Sequence, residues 1–181
     1  MEIGVGSGAI SCLLLWRDKG LIGDGIDVDR RCVELCEKNL DRVIKGWKER
    51  YKVHSGDFME VVPSMVEEWR GKYDFIVSNP PYIGETEYDG LERQVKQFES
   101  KTALYSPDDG IYHSMKILEL CRPLLTPEGF ICMELSPPLI ARYRLLQSSG
   151  QLSSLGYFIH RVDEDYYGKE RFIMFKQTEQ K

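Results

Sequence analysis

The stretch Glu2-Ile3-Gly4-Val5-Gly6-Ser7-Gly8-Ala9-Ile10 limits the fold more than any other part of the chain. A strand tail runs into three alternating glycines, and a helix-compatible run from Ala9 to Arg17 follows. Glycine tolerates positive φ and lets a ligand approach the backbone closely. A helix that starts directly after such a turn offers its unpaired N–H groups to whatever lies in the loop. Leu21 to Val28 reads as a second strand, and Asp27 near its end stands nineteen residues beyond Gly8. At that separation an acid accepts hydrogen bonds from ribose hydroxyls in a strand–loop–helix–strand unit. A bare glycine turn with no ligand would need no such acid.

The alternation continues along the chain. A helix from Arg30 to Ile44 carries Val33, Cys36, Leu40 and Val43 as one apolar stripe. Tyr51 to His54 is a short strand, Met59 to Trp69 a helix, and Tyr73 to Ser78 a strand. The polar stretch from Gly84 to Gly110 is too long for an ordinary connection and reads as a lid or a disordered segment. Ile111 to Cys121 is helical, Leu124 to Phe130 a turn, and Phe130 to Leu135 a strand. Pro137-Pro138 opens a helix through Gln147, and Tyr157–Val162 and Arg171–Lys176 form a closing pair of strands. Such repeats predict an α/β fold: a mostly parallel twisted sheet, helices on both faces, and an antiparallel C-terminal strand.

At 181 residues the whole span 1–181 reads as one domain. The glycine loop begins four residues from the N-terminus, so the first strand is expected as a stub with unpaired neighbours. Met1 is then an internal start, or the chain a fragment. Net charge is −5, from 24 basic and 29 acidic residues, which opposes broad contact with nucleic acid. No apolar run approaches the roughly 18 residues of a membrane span. Five cysteines without repeated spacing make a poor disulfide framework and point to a reducing, intracellular compartment, cytoplasm or mitochondrial matrix. Cys32 and Cys36 read as small core residues, and with His54, His113 and His160 scattered no metal site is expected.

Gly4, Gly6 and Ala9 also satisfy the dinucleotide fingerprint, so the loop alone does not separate a nicotinamide cofactor from S-adenosylmethionine. Glu2 tilts the choice. A carboxylate there attracts the ammonium of a methionine moiety and repels a pyrophosphate. Asp57 and Phe58, after the third strand, offer an acceptor and a ring for adenine, though an Asp at that place is equally a helix cap.

The strand that ends in Val77-Ser78-Asn79-Pro80-Pro81-Tyr82-Ile83 stops abruptly. Neither proline has a backbone N–H to continue a ladder, and Pro81 keeps Pro80 out of helical geometry. The Asn79 side-chain oxygen and the Pro80 carbonyl are thereby fixed as two acceptors, suited to a substrate –NH2 group. Tyr82 can wall that site or stack on a planar group. Carboxyl ends of parallel strands are where such sheets hold ligands. Holding both N–H bonds of a weakly nucleophilic amide can turn its lone pair toward a methyl donor.

"EIGVGSGAI", "GIDVD", "VSNPPYI", "ALYSPDDGI", "LLTPEGFICMEL" and "DYYGKERF", in that order, resemble the HemK/PrmC family of protein-glutamine methyltransferases over nearly the whole chain. The resemblance implies a Rossmann-like class I fold dependent on S-adenosylmethionine, with Gly4, Gly6, Gly8, Asp27 and Asp57 at the cofactor. It implies that Asn79, Pro80 and Tyr82 hold a glutamine amide in the Gly-Gly-Gln motif of class I peptide-chain release factors. The resemblance also implies an N-terminal helical domain, which is not expected within residues 1–181. Asn-Pro-Pro-Tyr also occurs in enzymes that methylate amino groups of adenine or guanine in DNA or RNA. A non-catalytic fragment of the family is a further reading, and a nicotinamide dehydrogenase has no use for Asn-Pro-Pro-Tyr.

Overall fold

A computed structural model describes residues 1–90 and 100–178. In chain order the elements are β1 (Glu2–Ile3), α1 (Ala9–Arg17), β2 (Gly23–Asp27), α2 (Arg30–Val43), β3 (Tyr51–Ser55), α3 (Phe58–Trp69) and β4 (Tyr73–Ser78). Then follow α4 (Glu85–Gly90), α5 (Lys101–Leu104), α6 (Tyr112–Cys121), β5 (Leu125–Glu134), α7 (Pro137–Ser148), α8 (Gln151–Ser154), β6 (Tyr157–Glu164) and β7 (Glu170–Gln177). Among the described residues the strands form one sheet in the order β3-β2-β1-β4-β5-β7-β6. The first five run parallel, and β7 pairs antiparallel with both β5 and β6. This is the expected mostly parallel α/β sheet, reversed at its C-terminal edge.

Two apolar clusters hold the helices to the sheet. One lies under α1 and α2, built on Leu15, Cys36, Leu40 and Tyr51. The other lies under α3, α6 and α7, with Val62, Ile117, Ile140 and Phe175 among its members. The stripe of α2 ends differently from expectation: Val33, Cys36 and Leu40 are buried, but Val43 is 55% exposed and Ile44 takes the buried place. The helix stops at Val43, so the four-residue step past Leu40 lands on the extended cap. Cys36 is buried as expected, whereas Cys32 is half-buried and borders the cavity described below.

β5 is longer than the sequence suggests. The Thr126-Pro127-Glu128-Gly129 segment does not end the strand. It is absorbed as an irregularity between the Tyr73↔Leu125 and Phe75↔Phe130 pairs. A Cβ at Gly129 would stand 2.9 Å from the Tyr73 carbonyl, so the strand can bulge there only with glycine. β2 is shorter than expected because Ile22 is 78% exposed and outside the ladder.

β1 comprises two residues. They pair with Gly25 and Ile26 of β2 on one side and with Val77 and Ser78 of β4 on the other. Below it, β2 and β4 stand apart around a cavity of about 360 Å3 bordered by Met1, Gly23, Tyr73 and Phe75. The Met1 amino group donates to the Phe75 carbonyl at 2.9 Å. The polar stretch carries α4 and α5; its expected lid residues 91–99 lie outside the described residues. Among the described residues no helix is long and apolar enough to cross a membrane.

Candidate active site

The site begins where the innermost strands end. The Gly4 and Val5 N–H groups both donate to the Ile26 carbonyl, at 2.8 and 3.1 Å, which turns the chain off β1 toward α1. Gly4, Gly6 and Gly8 all take positive φ, at 76°, 52° and 77°. Nothing lies within 4 Å of where a Cβ would stand at Gly4 or Gly6, so space is left open above the loop. Gly8 has another duty. A Cβ there would meet the Cys36 Sγ at 2.6 Å, so this glycine lets α1 close on α2.

Asp27 closes β2 beside the loop. One carboxylate oxygen accepts from the Gly6 N–H at 2.8 Å and the other from the Asp29 N–H at 2.9 Å. Each oxygen keeps a lone pair, so the carboxylate can organise the loop and still receive hydroxyls. Asp57 is the cap of α3, accepting from the Met59 N–H at 2.9 Å through Oδ1. The capping reading is therefore realised, and its second oxygen leaves the acceptor reading intact. Phe58 opens the same helix and packs on the main core.

The Ile3↔Ser78 pairing sets the opposite wall, because it brings Asn79 level with Gly4, the first glycine of the loop. The Ser78 hydroxyl donates to the Ile3 carbonyl at 2.8 Å and pins the two strand ends together. Asn79 is exposed, while Pro80 beneath it is buried.

Glu2, Gly4, Gly6, Asp27, Asp57, Phe58, Asn79, Pro80 and Pro81 border one cavity of about 790 Å3. That volume suits a nucleoside-sized ligand. Gly8 and Tyr82 are not on its walls. Residues that sequence reasoning missed are: Lys101, Thr102, Ala103 and Tyr105 from the polar stretch, His113 from α6, and Glu134 from the end of β5. The cue for the polar stretch was its length. Its attachment is a backbone bracket: the Ile83 N–H donates to Leu104 and the Ser106 N–H to Ile83, both at 2.9 Å. Gly110 passes so close to the Tyr82 carbonyl that any Cβ would collide with it.

Glu2, Asp27, Asp29, Asp57 and Glu134 are among the residues that line this cavity, and Lys101 is the cation among its described walls. Such a field attracts a cationic ligand and repels a pyrophosphate. Glu2 itself is 3% exposed, and burial pushes its pKa up to about 7 despite the Ser11 hydroxyl that donates to it. Ser11 in turn lies 2.5 Å from the Tyr51 hydroxyl. An ammonium near Glu2 would draw it into its ionised form.

Burial raises the Tyr82 pKa, and the nearby Arg171 charge works in the opposite direction. Arg171 is paired with Asp165 at 3.4 Å, and Asp165 also accepts from the Tyr167 and Lys169 N–H groups. The Asp165–Arg171 segment thus places a cation near the ring that follows the two prolines. This is a physical reason for "DYYGKER" to accompany "NPPY".

The family described as Eco57I restriction-modification methylase matches residues 13–154. A release factor glutamine methyltransferase of Nitratidesulfovibrio vulgaris is 34% identical over 98% of this chain and 57% of its own length. One from Fusobacterium nucleatum is 30% identical over 98% of this chain and 47% of its own. The chain therefore spans about half the length of these curated relatives. A crystal structure of a methyltransferase from Pyrococcus furiosus superposes with a TM-score of 0.64 at 22% identity, covering 98% of this chain and 74% of that one. The fold is the class I fold of S-adenosylmethionine-dependent methyltransferases. The chain belongs to the Eco57I-type methylase family, and its likeness to the HemK/PrmC release factor glutamine methyltransferases extends over nearly all of its residues.

Proposed function

We propose that this chain is the catalytic domain of an S-adenosylmethionine-dependent methyltransferase whose acceptor is a glutamine side-chain amide in the Gly-Gly-Gln motif of class I release factors. One observation carries the reading. The Ile3↔Ser78 register sets Asn79 and Pro80 beside the glycine loop on a largely apolar cavity whose charged wall residues are mainly acidic. The open space over Gly4 and Gly6 and the acidic walls fit a nucleoside bearing a sulfonium and an ammonium. Bound there, S-adenosylmethionine supplies an electrophilic methyl group.

The chain's own residues do the rest. The Gly4–Gly6 backbone and the Asp27 carboxylate would hold the ribose, Asp57 and Phe58 the adenine, and Glu2 the methionine ammonium. The Asn79 side-chain oxygen and the Pro80 carbonyl would each accept one N–H of the amide. Both N–H bonds are then turned away from the donor, and the nitrogen lone pair is turned toward it. The nitrogen gains a methyl group and releases one proton, so no strong base is needed. Tyr82, with the Arg171 charge nearby, would border the approach of the amide.

The test is transfer of labelled methyl groups from S-adenosylmethionine. Label in the Gly-Gly-Gln glutamine of a release factor is the expected result. Label in DNA or RNA instead would move the chain to the amino-group methyltransferases that share Asn-Pro-Pro-Tyr, and no transfer with no donor affinity would support a non-catalytic fragment. The net charge of −5 and the acidic cavity favour the protein substrate.

A further inference from the structure

Ser106 and His113 form a pair that the proposed mechanism does not use. Ser106 is fully buried, and its Oγ accepts from the His113 backbone N–H at 3.2 Å. The same oxygen lies 2.9 Å from His113 Nδ1. If Nδ1 carried the proton, Oγ would accept twice and its own buried hydrogen would have no partner among the described residues. The arrangement that satisfies every group has the hydroxyl donating to Nδ1. The imidazole proton then sits on Nε2. Burial lowers the His113 pKa, against the nearby Asp57 charge, which keeps the ring neutral.

His113 shares the cavity wall with Asp57 and Phe58, and no described residue takes up Nε2. Asp57 spends Oδ1 on its cap and retains Oδ2. The wall thus pairs a carboxylate acceptor with an N–H donor. Adenine has the complementary order, since its exocyclic amino donor is flanked by the ring acceptors N1 and N7. A hydroxyl nucleophile is not on offer here, because Ser106 has no exposed surface.

We propose that His113 is a specificity-determining residue of the donor pocket, its Nε2–H given to a ring nitrogen beside the amino group that Asp57 accepts. The inference rests on the donor reading above. It makes the pocket select adenine through His113 together with Asp57, where a ring that merely packed could be replaced by phenylalanine without consequence.

The experiment is calorimetric titration of S-adenosylhomocysteine and its 1-deaza and 7-deaza analogues into the wild-type chain and H113F. Wild type should bind one of the two analogues roughly three- to tenfold more weakly than the parent, the usual worth of one hydrogen bond. H113F should lose a similar factor for the parent and nothing further for that analogue. Nitrogen NMR shifts of the wild-type imidazole should place the proton on Nε2, and S106A should release that preference. Equal wild-type affinity for all three compounds, or a proton on Nδ1, overturns the inference even if H113F does not fold. Affinities in H113F that keep the wild-type ratios overturn it as well. A wild-type chain that binds none of the three overturns the donor reading itself, a distinct failure that removes this inference with it.

Discussion

Replacing Asp27 with alanine alters two things that can be measured apart. In the free chain the carboxylate accepts from the Gly6 and Asp29 N–H groups at 2.8 and 2.9 Å. Both donors are half-buried and water can reach them in the truncated variant, so the cost to folding should be modest, about 1–2 kcal/mol. The larger effect belongs to the donor. Two ribose hydroxyls lose a charged acceptor, and the loop loses the bond that sets Gly6 at φ 52°. A loss of about 1–3 kcal/mol corresponds to a dissociation constant raised roughly 5- to 150-fold. Urea unfolding without ligand gives the first quantity, and calorimetry with S-adenosylhomocysteine gives the second. An Asp27→Ala chain that is folded and binds the ligand within twofold of wild type would refute the ribose assignment. A variant that loses stability but no affinity would make Asp27 a loop organiser alone.

Asn79→Ala should leave donor affinity within about twofold and lower the turnover rate by roughly a hundredfold or more, because positioning of the amide is lost; a few-fold change in a single-turnover assay would contradict the acceptor role. Glu2 predicts a pH effect on stability. Its folded pKa of about 7 lies above the ordinary 4.5, so the folded state holds a proton that the unfolded state has released. Stability should therefore fall as pH rises from 4.5, by up to about 2 kcal/mol at pH 6, below the range in which the buried Met1 amino group with its pKa of about 6 opposes the trend. Urea midpoints should show that slope in wild type and lose it in Glu2→Gln.

Local chemistry was legible in the sequence. Gly4 and Gly6 announce positive φ, Asp27 announces an acceptor at the end of a strand, and Pro80-Pro81 announces a strand that must stop. Each constraint acts within a few residues, so it can be read without knowing the rest of the fold. The parallel order of the sheet followed from strand–helix alternation for the same reason. What was hidden depends on partners far along the chain. Gly8 reads as a third ligand glycine until Cys36, on the next helix, is seen facing it. Tyr82 reads as a wall of the amide site, but nothing near it in sequence announces the Arg171 charge beside it. His113 looks like one of three scattered histidines, and only the chain reversal through Asp108 and Asp109, both at positive φ, returns it to the cavity. The strand length of β5 was missed because a turn-like Thr126-Pro127-Glu128-Gly129 was accommodated as a bulge against β4.

The central claim is the place of the amide nitrogen. The measurement that reaches it is a crystal structure of the chain with S-adenosylhomocysteine and a peptide containing Gly-Gly-Gln. The account predicts the glutamine carboxamide with its nitrogen within about 3.2 Å of both Asn79 Oδ1 and the Pro80 carbonyl oxygen. A carboxamide lodged anywhere else beside an occupied donor cavity would contradict it.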